Sequence, residues 1–339
     1  MTLNLCILPN LKGIGGPVSF HNRLVSGLQQ RGVTVHHHPH DPACTAMLVI
    51  GGTNRLLDVW RAKRRGVRIV QRLNGMNWIH KKRPTGLAHY LRAERNNWLL
   101  RYIRRNLADS IVYQSDFARS WWQTAAGHVK AHGQVIYNGV DLDAYHPHGM
   151  HDRPRGHQRL LLVEGRLGGG NEQGLDNAVR LAQALNANGR GIELMVVGDV
   201  PLALRARYSI LSASRITWAG VVSADRIPLI DRSAHLLFSA DLNAACPNSA
   251  IEALACGLPV VAFATGALPE IITGDAGIVV PYGSNYWNLE PPDIPALAQA
   301  AREVLADQPR YRAAARRRAE EAFGLNAMVD AYLSVFQSG

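Results

Sequence analysis

No apolar run in this chain approaches the ~20 residues that cross a bilayer, which excludes a helical membrane span. Its first ten residues lack the basic start and small-residue cleavage site of a secretory signal, and read as a buried strand ahead of a glycine loop. The expectation is a cytoplasmic protein, or one held at the cytoplasmic face of a membrane. The four cysteines, Cys6, Cys44, Cys246 and Cys256, stand at no metal-ligand spacing, so no metal site is expected and a reducing compartment fits them. Low-complexity tracts and internal repeats are absent. The glycine loop near the start reads GIGGPV and lacks the third glycine of a dinucleotide fingerprint, which argues against a nicotinamide cofactor. No nucleic-acid motif accompanies the positive charge, so no nucleic-acid partner is expected.

What is present is a globular α/β pattern. The 339 residues, 47% hydrophobic, suffice for two domains with separate cores. Strand-like runs alternate with amphipathic helices, as in parallel α/β sheets. The first half offers LNLCILP, AMLVIGG, RIVQRL, SIVYQS and QVIYNG. The second offers RLLLVEG, IELMVVGD, RITWAGV, HLLFSA, PVVAFA and GIVVPYG. The Pro, Gly, Arg and His-rich stretch 146–157 separates the series and predicts domains at 1–150 and 151–322, with a closing helix at 323–339. Ligands of such sheets bind beyond the carboxyl ends of the strands, so the site is expected in a cleft between the two domains.

The run CPNSAIEALACGLPVVA, residues 246–262, places Glu252 on a short helix that follows a Pro-Asn-Ser turn and ends at Gly257. Such a helix start is an anion site. The next run, FATGALPEIITGDAGIVVPYG, repeats the arrangement: Thr265, Gly266 and Ala267 lead into a helix at Leu268 opened by Pro269 and Glu270. With them stand CILPNLKGIGGPVSFHNRLVSGLQQRG at the start, VIYNGVDLDAYHP at 135–147, LLLVEGRLGGGNEQGLDNAVRLAQAL opening the second half, and FGLNAMVDAYLSVF at the end. In combination these blocks resemble the family 4 nucleotide-sugar glycosyltransferases, retaining enzymes of GT-B type, over nearly the whole chain.

The resemblance implies an α/β fold of two Rossmann-like domains facing a central cleft, an acceptor-side first domain, a nucleotide-sugar second domain and a closing helix that returns to the first. It implies no cofactor, the nucleoside diphosphate sugar being a co-substrate. By resemblance Glu252 binds the donor ribose, with Asn248 and Ser249 beside it and Gly266, Ala267 and Leu268 at the second helix start. Arg166, after the first strand of the second domain, is the arginine that pairs with the donor diphosphate; its planar fork suits phosphate oxygens. Gly15 and Gly16 form the turn that approaches the diphosphate, and Asn74 stands where the family often carries a histidine facing the sugar. Arg166 and Asn74 are the expected catalytic groups.

Each residue also has a purely structural reading. Ser249 and Glu252 are spaced as a capping box, and the two roles of Glu252 are compatible. Arg166 can be a solvated strand-end arginine, Gly15 and Gly16 a simple strand-to-helix turn, and Asn74-Gly75 an ordinary turn. The histidines 36, 37, 38 and 40 read as a solvated strand end, because neighbours on an extended segment face alternate sides.

Three positions depart from the family pattern. Its first acid, eight residues before Glu252, is Ala244 here; Asp241 is either a substitute or a turn residue. Its assisting lysine is Gln173, with Gly168, Gly169 and Gly170 as alternative phosphate donors. The histidine is absent. A sugar-nucleotide epimerase of the same fold, or a catalytically reduced nucleotide-sugar binding protein, therefore stands beside a transferase acting on a glycan or lipid-linked acceptor.

Charge is unevenly spread. Residues 1–150 hold 20 Lys and Arg against 7 Asp and Glu, whereas residues 151–339 hold 17 against 19. The excess is densest in RAKRRGVR, HKKRPTG and LRAERNNWLLRYIRR, where Trp78, Trp98 and Tyr102 are interspersed. This suits an anionic membrane surface; a solvated helix face beside core aromatics is the structural alternative.

Overall fold

The computed structural model describes residues 3–13, 15–168, 172–187, 191–211 and 214–338. They form two compact units, residues 1–139 with 325–339, and residues 140–324.

The first unit is built on six strands: β1 (Asn4–Leu8), β2 (Thr34–His36), β3 (Ala46–Ile50), β4 (Arg68–Leu73), β5 (Ser110–Tyr113) and β6 (His132–Val135). All pair in parallel, in the order β2-β1-β3-β4-β5-β6. Helices cover both faces, which is why β3 and nearly all of β4 are buried along their length rather than alternating. Five of these strands follow from the apolar runs. The sixth, β2, is a three-residue edge strand that ends in the histidine run, too short and polar to stand out. β6 begins at His132, ahead of the run QVIYNG.

The second unit holds β7 (Gln158–Arg166), β8 (Ile192–Asp199), β9 (Arg215–Gly220), β10 (Leu236–Ser239), β11 (Val260–Phe263) and β12 (Gly277–Val280). They too are parallel, in the order β12-β11-β10-β7-β8-β9. Read from its other edge this is the order 3-2-1-4-5-6 of a dinucleotide-type sheet, and its switch point lies between β7 and β10.

The closing helix, Leu325–Gln337, belongs to the first unit. It packs on the helix Gly16–Gln30: a Cβ on Gly27 would meet Val329 Cγ2 at 2.6 Å, the Phe20 and Tyr332 ring centroids are 5.4 Å apart, and Arg31 pairs with Asp330 at 2.8 Å. The stretch 146–157, expected as a linker, is fastened within the second unit. The Asp152 N–H donates to Ser233 Oγ at 2.7 Å, and the Arg153 guanidinium holds the Arg232 carbonyl. Its Pro and Gly content marks a surface segment, and the change of unit falls at Gly139 and Val140.

Candidate functional site

In the second unit the candidate residues belong to the carboxyl end of β7 and to the segment that follows β10, neighbouring strands at the switch point. β7 carries a bulge between Val163 and Arg166. Gly198 makes it possible: its φ of 137° is open to glycine, and a Cβ there would stand 1.9 Å from the Glu164 carbonyl oxygen. Beyond the bulge, Arg166 is exposed, with its Nε 3.9 Å from Asp199 Oδ2. So loose and exposed a pair contributes about 0–1 kcal/mol, so an anion can replace Asp199 at little cost.

Glu164, which the sequence reading did not single out, stands on β7 beside Asp241 at the end of β10. Burial, followed by the like charge of Asp241, pushes the Glu164 carboxyl up to about 8. The Asp241 carboxyl is raised less, since that residue is exposed. The two acids therefore favour holding a proton at the switch point.

The helix Asn248–Ala255 starts two residues earlier than a capping box of Ser249 and Glu252 requires. Pro247 is the N-cap, no side chain caps the helix, and Ser249 is its second residue. Glu252 thus lies too deep to reach a first-turn donor, so the capping reading is corrected: a proline that fixes the helix start leaves Ser249 inside it. Asn248 and Ser249 carry N–H groups of the first turn, which precede the intrahelical ladder. Glu252 is 7% exposed, and its charge adds to the burial that raises Asp231 and Cys256.

The second helix start is tightly folded on the first loop. Gly266 has φ 60°, and a Cβ there would come within 2.6 Å of the Ala244 backbone. The Ala267 N–H donates to the Ala244 carbonyl at 2.8 Å and the Leu268 N–H to Thr265 at 3.3 Å, so these two donors serve the loop itself. Next to Ala244, Asn243 adopts φ 60°; its amide oxygen and nitrogen, like Thr265 Oγ1 and Ser239 Oγ, are buried with no hydrogen-bond partner. Sequence gave no signal for Asn243 beyond its place before Ala244. Gln173 is tied down as well, its Nε2 donating to Tyr282 Oη at 3.0 Å. Gly168 is buried at the end of the β7 loop; Gly169 and Gly170 lie outside the described residues.

In the first unit a second cluster lies beyond the carboxyl ends of β1 to β4. Gly15, at φ 120°, is the N-cap of the helix Gly16–Gln30, as the glycine turn predicts. Asn74 follows β4 and is oriented from beneath. Its Oδ1 accepts from Arg72 Nη1 at 2.8 Å and Gln114 Nε2 at 2.6 Å, and its carbonyl accepts from Trp122 Nε1 at 2.7 Å. Arg72 is 1% exposed, lies 3.6 Å from the Phe20 ring centroid and also donates to Asn138 Oδ1 at 2.7 Å. Asn74 is thus a held residue rather than a free turn. A pocket of about 640 Å³ opens over it.

The histidine run does not behave as a solvated strand end throughout. His37 lines this pocket and bonds the Ile7 carbonyl at 2.8 Å through Nδ1, while His36 is partly buried, which lowers its pKa.

Residues 158–307 match the sequence profile of the family described as Glycosyl transferases group 1. The matched segment lies within the second unit. A GDP-mannose-dependent α-(1-6)-phosphatidylinositol dimannoside mannosyltransferase of Mycobacterium tuberculosis is 32% identical over 225 residues, which are 62% of this chain and 53% of that protein. The chain thus spans about half the length of the curated relatives it matches. Among solved structures, a sucrose-phosphate synthase from Thermosynechococcus elongatus is similar with a TM-score of 0.75 at 17% identity, covering 99% of this chain and 100% of that one. Anabaena HepE in complex with UDP-glucose is similar with a TM-score of 0.74 at 15% identity, with 99% and 100% covered. These likenesses show the fold of the chain, two Rossmann-like units of GT-B type. Among the described residues no helix is long and apolar enough to cross a membrane.

Proposed function

We propose that the protein transfers a sugar from a nucleoside diphosphate sugar to a hydroxyl of a glycan or glycolipid, with retention at the anomeric carbon. The observation that carries this reading is the cluster at the β7 and β10 ends, inside the segment that matches the group 1 family. Arg166 exchanges its loose partner Asp199 for the diphosphate, the first-turn N–H groups at Asn248 and Ser249 add donors, and Glu252 accepts from the ribose hydroxyls. The bond from the anomeric carbon to the phosphate oxygen breaks, the bond to the acceptor oxygen forms on the same face, and the acceptor's proton passes to the leaving phosphate. Charge that grows on that phosphate is stabilised by fixed donors, so no enzyme nucleophile is needed. Asn74, held by Arg72 and Gln114, supplies a positioned N–H. Asp241, beside Glu164, takes the place of the acid missing at Ala244.

The acceptor is reached at an anionic membrane surface in this reading. On the helix Leu87–Tyr102, residues Leu87, Leu91, Trp98 and Tyr102 fall on one face and are all exposed, and Leu57 and Trp60 are exposed on the helix Leu56–Arg64. Arg61, Arg64, Arg92 and Arg105 are exposed beside them in the chain. Such a combination supports peripheral attachment. Lys63 and Arg104 are engaged internally, by Asp109 and by Gly127, and do not contribute.

A thermal-shift panel of UDP, GDP and ADP tests the donor reading, with stabilisation of about 2.7 kcal/mol expected at ~100 times the dissociation constant. Product analysis then separates transfer from epimerisation, since only transfer needs an acceptor. Nucleotide binding without turnover of any donor would leave a binding protein.

A further inference from the structure

The pocket of the first unit has a definite chemical character. Its volume of about 640 Å³ falls in the range of small-molecule sites, roughly 300–1,000 Å³. It lies over the ends of the strands on either side of the β1 and β3 switch point. Asn10, Asn54, Asn74, Asn77 and Asn96 line it, together with Thr53 and His37. Arg55 is the one permanent charge among its described lining residues, and its Nε is held by Asp58 Oδ2 at 2.6 Å.

Three of these side chains have their polarity fixed by partners that act in one sense only. Arginine can only donate, so the Asn74 atom facing Arg72 is the oxygen, as is the Asn54 atom that accepts from Arg95 Nη2 at 2.9 Å. Each carboxamide is then left with its NH₂ to offer. A carbonyl can only accept, so His37 carries a proton on Nδ1 toward Ile7, and in that neutral tautomer Nε2 is the acceptor. The imidazole is further held by stacking on His21, with centroids 5.4 Å apart.

We infer that this pocket binds an uncharged polyhydroxylated ring, a sugar or cyclitol, which His37, Asn54 and Asn74 recognise through its hydroxyls. A hydroxyl both donates and accepts, and so satisfies two amide donors and one imidazole acceptor. A phosphate monoester only accepts at neutral pH, so it offers no donor to the imidazole acceptor, and it has to compete with Asp58, 2.6 Å away, for Arg55. Naming that ligand the acceptor rests on the transferase reading above, whereas its chemistry rests on the pocket alone.

Saturation-transfer NMR on the full chain tests this with myo-inositol and methyl α-D-glucoside as neutral probes, and myo-inositol 1-phosphate and glucose 6-phosphate as charged ones. The neutral probes should bind, the phosphates should bind about tenfold more weakly, and His37→Phe or Asn54→Leu should weaken the neutral probes by a similar factor without changing the melting temperature. Asp58→Asn, which releases Arg55, should strengthen the phosphate probes. Phosphates that bind the unaltered protein as well as the neutral probes overturn the inference, as do neutral probes that give no signal. So does neutral binding unchanged in a folded His37→Phe and in Asn54→Leu. Nucleotide thermal shifts on the same samples keep the two readings apart. A nucleotide shift without polyol binding sinks only the pocket inference; polyol binding without any nucleotide shift sinks only the transferase reading.

Discussion

Gly266 and Ala244 meet backbone to backbone: a Cβ on Gly266 would lie 2.6 Å from both the amide nitrogen and the carbonyl oxygen of Ala244. The loop after β11 is thereby clamped on the loop after β10, and the Ala267 N–H closes the clamp. Gly266→Ala adds a clash with backbone atoms to a left-handed φ of 60°. It should cost about 3 kcal/mol or more of stability and abolish donor-dependent turnover. Chemical denaturation would check the first part, and an unchanged midpoint would show that the two loops move apart freely.

Asn243 is expected to separate stability from function. It combines a left-handed backbone with a buried amide that has no partner, and each feature costs about 1–3 kcal/mol. Asn243→Gly relieves both and should raise the stability by about 1 kcal/mol or more, while turnover should fall with the loss of the amide, whose unpartnered atoms in the β10 loop are free to bind a ligand. Melting temperature and initial rates measured on one preparation decide the matter. A variant that is less stable and equally active would make the side chain a structural support.

Glu252→Gln can now be read without the capping alternative, because Pro247 caps the helix and Glu252 sits beyond its first turn. Neutral hydrogen bonds to ribose hydroxyls are about half as strong as charge-assisted ones, so nucleotide affinity should fall by roughly 5–30-fold. The melting temperature of the free protein should hold or rise, since one of the charges that disfavours ionised Asp231 is removed. Titration calorimetry with the stabilising nucleotide gives the affinity; an unaltered value would remove Glu252 from the donor site.

Much of the architecture is legible in the sequence because it follows from short-range physics. Eleven apolar runs mark strands, and turn residues separate them. What stayed hidden depended on neighbours distant in sequence. The β2 edge strand takes its identity from pairing with β1, not from its own three residues. Ser249 and Glu252 are spaced like a cap, yet whether they act as one depends on where Pro247 lets the helix begin. Asn74 reads as a turn until Arg72, Gln114 and Trp122 are seen to hold it. His37 reads as solvated until the Ile7 carbonyl orients its ring. Glu164 gave no signal, since only the pairing of β7 with β10 brings it beside Asp241.

The Glu164 carboxyl predicts a pH dependence of fixed sign. Its value in the folded protein, about 8, lies above the ordinary 4.5, so the folded state binds more protons than the unfolded one between those values. Stability attributable to this group is therefore full below about pH 4.5 and lost as pH rises toward 8. Glu164→Gln, which cannot ionise, should flatten that part of the profile. Denaturant unfolding across the window would show it, and identical slopes for the two proteins would mean that Asp241 alone carries the proton.

Membrane attachment is predicted to need both the exposed apolar face and the exposed cations. Trp98 and Tyr102 stack with ring centroids 5.3 Å apart, and both are exposed, so they can enter the headgroup region as a unit. Arg61, Arg64, Arg92 and Arg105 each add about 1 kcal/mol near an anionic surface. Co-sedimentation with phosphatidylserine-containing vesicles should be strong at low salt, weak at high salt, and reduced by replacing these four arginines with glutamine. Lys63→Gln should lower stability rather than binding, because Lys63 is fastened to Asp109 at 2.6 Å and to the Leu107 carbonyl. Trp98→Ser should weaken attachment at every salt concentration, since its contribution is not screened. Equal recovery of the protein with anionic and neutral vesicles would point instead to a water-soluble glycan as the acceptor.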